Sequence, residues 1–301
     1  MQKQFRLYSS LFCTALVLGA LLALLIRPHA PSSAPSAVAH AVAIPIKNIP
    51  VEFLDNAFRA LLPWQTATGT RIILIPHHMV AAKEIASLVA ATPKPSVIYY
   101  LAPDHFNTGK LSFSTVNAVF MHEAGNVRTA DAAVQDLLRQ TPSLAIDTRV
   151  FETDPSSLGP MPILARAWPD VPIVPILAHT SVTGTEELAL SRILAERLKN
   201  DPDALFVSSV DFSHEAPPSI AKVRDVASEK ALRSLDADVA SKLYLDAPSV
   251  FAVTMQVAQS LSLNHVTIHA HTHSAEILHA HDDRDSTSHF YASFAPLTTN
   301  K

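Results

Sequence analysis

The chain has a single cysteine, Cys13, so no internal disulfide framework is available to it. Cys13 lies in an apolar N-terminal run, and the remainder of the sequence has no thiol at all. Any metal held there must take nitrogen and oxygen donors, which suit zinc, iron, manganese, copper or nickel. Positive charge is also scarce. Lys and Arg number 23 against 27 Asp and Glu, a net charge of -4, and no basic stripe occurs, so nothing points to a nucleic-acid partner. No Gly-x-Ser-x-Gly elbow surrounds Ser209 or Ser213, which argues against a serine-hydrolase triad. No lipobox cysteine follows the apolar run, and no internal repeat is visible.

Histidine is what the chain has in excess, with 15 copies among 301 residues that are 48% apolar. The first of its segments is basic and then apolar. Lys3 and Arg6 precede a charge-free run from Leu11 to Ile26, sixteen residues and a little short of the ~20 that cross a bilayer. Tyr8 and Arg27 flank it as interfacial residues. Residues 1–27 therefore read as an N-terminal transmembrane signal anchor, with the membrane as a partner and the globular domain exported to the periplasmic or extracellular side. The alternative is a signal peptide and a secreted domain, with Ala39-His40-Ala41 as the one passable cleavage site. Residues 28–43 are rich in Pro, Ser and Ala and read as a disordered stalk. The folded domain is expected over residues 44–301.

That domain alternates strand-like and helix-like segments. Arg71 to Ile75, Val97 to Leu101, Val171 to Leu177 and Ala204 to Val210 read as buried strands. Phe53 to Leu62, Met79 to Ala91, Asp131 to Arg139, Met161 to Trp168, Thr185 to Lys199, Ile220 to Leu235, Ala237 to Leu245 and Ser249 to Leu261 read as helices. Leu111 to Val119 reads as a strand or hairpin arm, and Glu152 to Pro162 as a loop. His265 to His271 alternates, with Val266, Ile268 and Ala270 on one face and Thr267, His269 and His271 on the other; Ser288 to Phe294 is a last strand. The order predicts a three-layer α/β sandwich around a central, mostly parallel or mixed sheet.

Three of the strands end in a histidine motif: Pro76-His77-His78, Pro103-Asp104-His105 and Asp211-Phe212-Ser213-His214. In open α/β sheets the C-terminal strand edge collects ligands and catalytic groups. Neutral imidazoles with a carboxylate make a usual zinc or non-haem iron site. Taken singly, each is as well explained as an ordinary polar strand end; the parallel placement of all three favours a site. His265, His269, His271, His273, His279, His281 and His289, with Glu276, Asp282, Asp283 and Asp285, form a second His-rich region. It reads as a solvated loop between strands, a second metal site or a metal-scavenging loop. His122 and His179 read as structural or surface residues.

These motifs, in their order, resemble the Memo family, also named AmmeMemoRadiSam system protein B, over about Ile72 to Leu297. Pro76-His77-His78-Met79 resembles the family's Pro-His motif. Leu101 to Gly109 resembles its Gly-Pro-x-His-x-x-x-Gly motif with Ala102 for Gly, and Ser208 to His214 its Ser-Ser-Asp-Phe-Ser-His motif with Val210 added. The resemblance implies a fold like that of class III extradiol dioxygenases, which use non-haem Fe(II). It places His77 and His105 at metal positions and Asp211 and His214 in the neighbouring pocket. Where the family often has Cys-Gly before a late helix, the equivalent lies near Ser249-Val250, and Asp154-Pro155 stands for its Glu-His pair. The combined expectation is a divalent metal ion, Fe(II), Cu or Zn, held by His77, His105 and His214. Asp211 and His214 would be the catalytic pair, acting on an unknown small molecule in an oxidoreductase-like reaction. Hydrolysis by an open metal site and a non-catalytic binding module are the alternatives.

Overall fold

Four apolar segments lie side by side as parallel strands whose C-terminal ends share one sheet edge. The computed structural model describes residues 41–154, 156–280 and 286–297. Its strands are β1 (Val42–Pro45), β2 (Ile72–Ile75), β3 (Ile98–Pro103), β4 (Phe113–Thr115), β5 (Ala118–Met121), β6 (Val127–Arg128), β7 (Leu144–Ile146), β8 (Ile173–Ala178), β9 (Leu205–Ser209), β10 (His265–His273) and β11 (Ser288–Ala295). Its α-helices are α1 (Val51–Arg59), α2 (Ala82–Ala91), α3 (Asp131–Gln140), α4 (Thr148–Thr153), α5 (Met161–Ala167), α6 (Gly184–Asn200), α7 (Pro218–Ser234), α8 (Pro248–Ser260) and α9 (Ser274–Ile277).

The main sheet runs β10-β11-β2-β9-β3-β8-β4-β7, and a small sheet runs β1-β5-β6. Within the main sheet β2, β9, β3 and β8 are parallel. The β11 strand is antiparallel to β2, and β4 is antiparallel to β8. Strands buried on both faces need continuous apolar sequence, which Ile72–Ile75 supplies with four buried residues. Alternate side chains feed two cores. Ile72, Leu74, Leu101 and Phe206 pack with α6, α7 and α8 residues such as Leu194, Leu232 and Phe251. Ile73, Ile75, Tyr100 and Val207 pack with α1, α2 and α5 residues such as Leu54, Leu88 and Ile163. The result is a mixed α/β sandwich with helices on both faces of the sheet. The α6 helix begins at a capping box, in which the Thr183 hydroxyl accepts from the Glu186 N–H and Glu186 Oε2 accepts from the Thr183 N–H.

Several expectations need correction. Strand pairing is present before Ile44: Val42 and Ala43, assigned above to the stalk, pair in β1 with Ala118 and Val119. Leu111 to Val119 is not one arm, because β4 joins the main sheet and β5 the small one. The loop expected from Glu152 begins inside α4, which ends at Thr153. Ala237 to Leu245 forms only a 3-10 turn at Ala240–Lys242. The left-handed Leu235 (φ 55°) ends α7, and Leu245 bridges Phe212 instead of continuing a helix. The alternation of β10 breaks at a bulge between Ile268 and Ala270. The extra residue turns His271 to the face of Val266 and Ile268, the reverse of the sequence reading. The apolar run Leu11 to Ile26 and the stalk up to His40 lie outside the described residues. Among the described residues no helix is long and apolar enough to cross a membrane.

Candidate metal centre

Register puts three loops at one height. Ile75 pairs with Ser209, Leu101 with Ser208, and Pro103 with Ala178. His77, Asp211 and His105 each sit two residues past the end of β2, β9 and β3. These near-equal offsets bring His105 and Asp211 each beside His77. Pro76, lacking an N–H, turns the chain out of the sheet before His77.

His77 is buried, and its Nε2 stands 3.1 Å from His105 Nε2. The rings meet edge to face at a centroid distance of 4.8 Å. A carboxylate absent from the sequence expectation completes the group. Asp246 Oδ2 lies 3.1 Å from His77 Nε2 and 3.5 Å from His105 Nε2. Although within ion-pair reach, this buried oxygen has no hydrogen-bond partner among the described residues. Donors at ~2.0–2.1 Å from a tetrahedral ion stand roughly 3.3 Å apart. The three separations therefore fit donors converging on one ion, and the orphaned oxygen is the atom such an ion would satisfy.

Surrounding groups fix the donors. Asp154 Oδ2 stands 2.9 Å from His105 Nδ1 and accepts the His105 N–H at 2.8 Å. This contact leaves His105 Nε2 facing the centre, as a metal-bound imidazole requires. His77 Nδ1 is 3.3 Å from Ser209 Oγ, and the His77 N–H donates to Asp211 Oδ1 at 3.3 Å. Asp246 and Asp211 clasp each other: the Asp211 N–H donates to Asp246 Oδ1 at 3.0 Å, and the Asp246 N–H to the Asp211 carbonyl at 3.2 Å. Tyr100 Oη donates to the Ser157 carbonyl at 2.6 Å and ties the Asp154 loop to β3. A Cβ on Gly159 would meet the His77 carbonyl at 2.8 Å, so only glycine lets that loop approach the ligand segment.

Three carboxylates around two imidazoles set the electrostatics. Burial disfavours charge on His77, but Asp211 and Asp246 outweigh it and raise the pKa. Burial likewise opposes charge on His105, and Asp154 with Asp246 overrides it, pushing His105 up to about 10. Burial works against ionised Asp154, Asp211 and Asp246 too, yet the facing histidines hold all three below the usual carboxylate range. The site is thus a concentration of negative charge that protons occupy when no cation does.

The other sequence candidates fall around this group. His214 is 42% exposed, with Nε2 3.8 Å from Asp211 Oδ2. It clusters with Asp211 and Asp246, not with both imidazoles. Burial opposes its charge and Asp211 overrides that, raising the pKa. A cavity of about 440 Å³ opens here, lined by His77, His105, Asp211 and His214 among others. A second, of about 1010 Å³, reaches His105 and Asp246 and includes Ser249 on its wall. The residue of the late-helix region that meets the imidazoles is Asp246, two positions before Pro248 opens α8. Pro155 lies outside the described residues, and Asp154 serves as the partner of His105.

The His-rich C-terminal region divides. His289 joins His78, with Nε2 3.3 Å from His78 Nδ1, and both cluster with Asp211. His269 bonds Ser293 Oγ at 2.9 Å beside Trp64, while His271 and His273 meet Asp225. His281 and the acidic residues Asp282, Asp283 and Asp285 lie outside the described residues. His122 and His179 use their rings on backbone groups, the Ile49 and Asn107 carbonyls, as structural residues do.

Comparison with known proteins locates the fold. A family profile described as Memo-like protein matches residues 51–290. No curated protein matches the chain. Among solved structures, the crystal structure of uncharacterized protein JW3007 from Escherichia coli K12 superposes with a TM-score of 0.51 at 15% identity, covering 74% of this chain and 98% of that one. At that identity the likeness concerns the fold.

Proposed function

This chain belongs to the Memo-like protein family, and from that premise we propose that His77, His105 and Asp246 hold one divalent metal ion at the head of a small-molecule cavity, with oxidoreductase chemistry. The observation that carries this is the convergence of His77 Nε2, His105 Nε2 and the unpartnered Asp246 Oδ2 within 3.1–3.5 Å of one another. Two imidazoles and one carboxylate are the donor set of non-haem Fe(II) sites and also suit Zn or Cu. Bound there, the ion supplies a Lewis-acidic or redox-active centre to a molecule in the cavity.

The chain's own residues do the rest. Asp154 orients His105, and Asp211 orients His77 through its backbone N–H. His214, on the cavity wall, is the accessible proton carrier, and Asp211 raises its pKa by favouring the charged ring against burial. Asp211, ionised and 3.8 Å away, favours the proton on that ring by its charge. A 440 Å³ cavity suits a small molecule, not a polymer.

A hydrolytic reading rests on the same donors, because open zinc sites use two histidines and a carboxylate. The identity of the metal that copurifies separates the two: iron or copper supports redox chemistry, zinc alone supports hydrolysis. Absence of metal under every loading condition leaves a binding module. The basic start and the apolar run support anchoring in a membrane with the domain exported. A topology reporter fused after Lys301 tests this; reporter activity on the cytoplasmic side contradicts it.

A further inference from the structure

A second group of donors lies on the outer strand of the main sheet, apart from the centre above. His271 and His273 are two residues apart on β10, so they project from the same face. The bulge after Ile268 turns that face toward α7, which carries Asp225. Asp225 Oδ2 stands 2.8 Å from His271 Nε2. The Ser213 hydroxyl donates to Asp225 Oδ1 at 2.6 Å and fixes the carboxylate. The His271 ring is stacked on Phe290 at 4.1 Å with an interplanar angle of 9°, which fixes its plane.

His273 is the anomaly. It is 1% exposed, and neither ring nitrogen has a hydrogen-bond partner among the described residues. A buried, unpaired polar atom costs ~1–3 kcal/mol. Here the ring meets the His271 ring at 4.9 Å, and one donor atom each from Asp225, His271 and His273 falls within 4.8 Å of the others. The pattern has the parts of a metal site: a His-x-His pair on a strand, a buried carboxylate with an oriented second oxygen, and a ligand atom left unsatisfied in the protein alone.

We propose that Asp225, His271 and His273 form a second, independent site for a first-row divalent cation. The nitrogen-rich set favours Zn, Co(II), Ni or Cu over Mg or Ca. His271, 26% exposed, stands at the open side and gives the ion its way in.

Zinc stoichiometry tests it. The full chain in detergent is saturated with Zn(II), dialysed and subjected to elemental analysis. Two equivalents per chain are expected, falling to one in His273→Leu and to one in His105→Ala. His273→Leu deletes no side-chain hydrogen bond among the described residues and keeps the site filled, so the fold survives, as circular dichroism verifies; Asp225→Asn is the second variant and should lose the same equivalent. A chain in which both variants keep the parent stoichiometry overturns the second site, as does a His105→Ala chain that holds no zinc. Unchanged zinc in His105→Ala alone counts instead against the first centre, so the two failures are distinct. Co(II) gives a parallel readout, since its visible bands should lose one component in His273→Leu.

Discussion

Asp246 Oδ2 lies 3.1 Å from His77 Nε2, buried and with no hydrogen-bond donor to it among the described residues. In a protein interior such an arrangement is costly unless positive charge, a metal ion or the proton of the imidazole, lies beside the oxygen. The remaining contacts of the centre follow from it. His105 is aimed by Asp154, Asp246 is clasped by Asp211, and both carboxylates depend on positive charge for their ionised state.

Asp154→Asn tests the orienting contact. The amide keeps the shape but not the charge, so metal affinity should fall by roughly 10–100-fold, the usual cost of losing an outer partner of a metal-bound histidine. In the metal-free protein the His105 pKa should drop from about 10 toward the ordinary histidine value. Chelator competition and an NMR titration of the His105 ring check the two parts. Unchanged affinity would mean that Asp154 does not set the ring.

Stability of the metal-free protein should depend on pH in two opposite ways. His105 has a folded pKa of about 10, above its unfolded value, and that of His77 is also raised. Their contribution is complete below the unfolded histidine pKa near 6.5 and is lost as pH rises through the folded values. His289 is the reverse. Burial lowers its pKa to about 4, so the unfolded chain takes up a proton between pH 6.5 and 4 that the folded chain refuses. Stability should therefore fall by ~3 kcal/mol over that window as pH drops. Urea midpoints across pH 4–9 should peak between the two windows, and His289→Asn should flatten the acidic side. Metal affinity itself should rise with pH as protons leave the two ligand histidines.

Gly159→Ala tests the approach of the Asp154 loop. The new methyl group would stand 2.8 Å from the His77 carbonyl and 2.9 Å from Met79 Cγ. Backbone must shift to admit it, at a cost of ~1–3 kcal/mol. The displaced atom belongs to a ligand residue, so metal affinity should fall together with the thermal midpoint. A loss of stability with unchanged metal binding would show that His77 is held from the β2 side alone.

Much of this site was legible in the sequence. Apolar runs ending in Pro-His and Pro-Asp-His marked parallel strands, and the matching strand ends predicted a site on His77, His105 and His214, of which the first two meet. Asp246 was not legible, because it follows no strand. Its position depends on α7 stopping at the left-handed Leu235 and on the Phe212–Leu245 bridge, both tertiary outcomes. The helical composition of Ala237 to Leu245 concealed that turn. His271 was assigned to the wrong face because strict alternation fails at a one-residue bulge, which no local composition marks. His214, aligned with the others by motif, lies one step outside because it extends five residues past the end of β9 rather than two.

The central claim is that His77, His105 and Asp246 bind one ion together. The most direct measurement is metal content per chain, by elemental analysis of the full-length protein and of Asp246→Asn after identical loading. The proposed centre requires that the parent retain one equivalent through dialysis that the Asp246→Asn chain, folded by circular dichroism, loses. Equal metal content in the two chains would contradict it, as would a parent chain that takes up no metal in any loading condition.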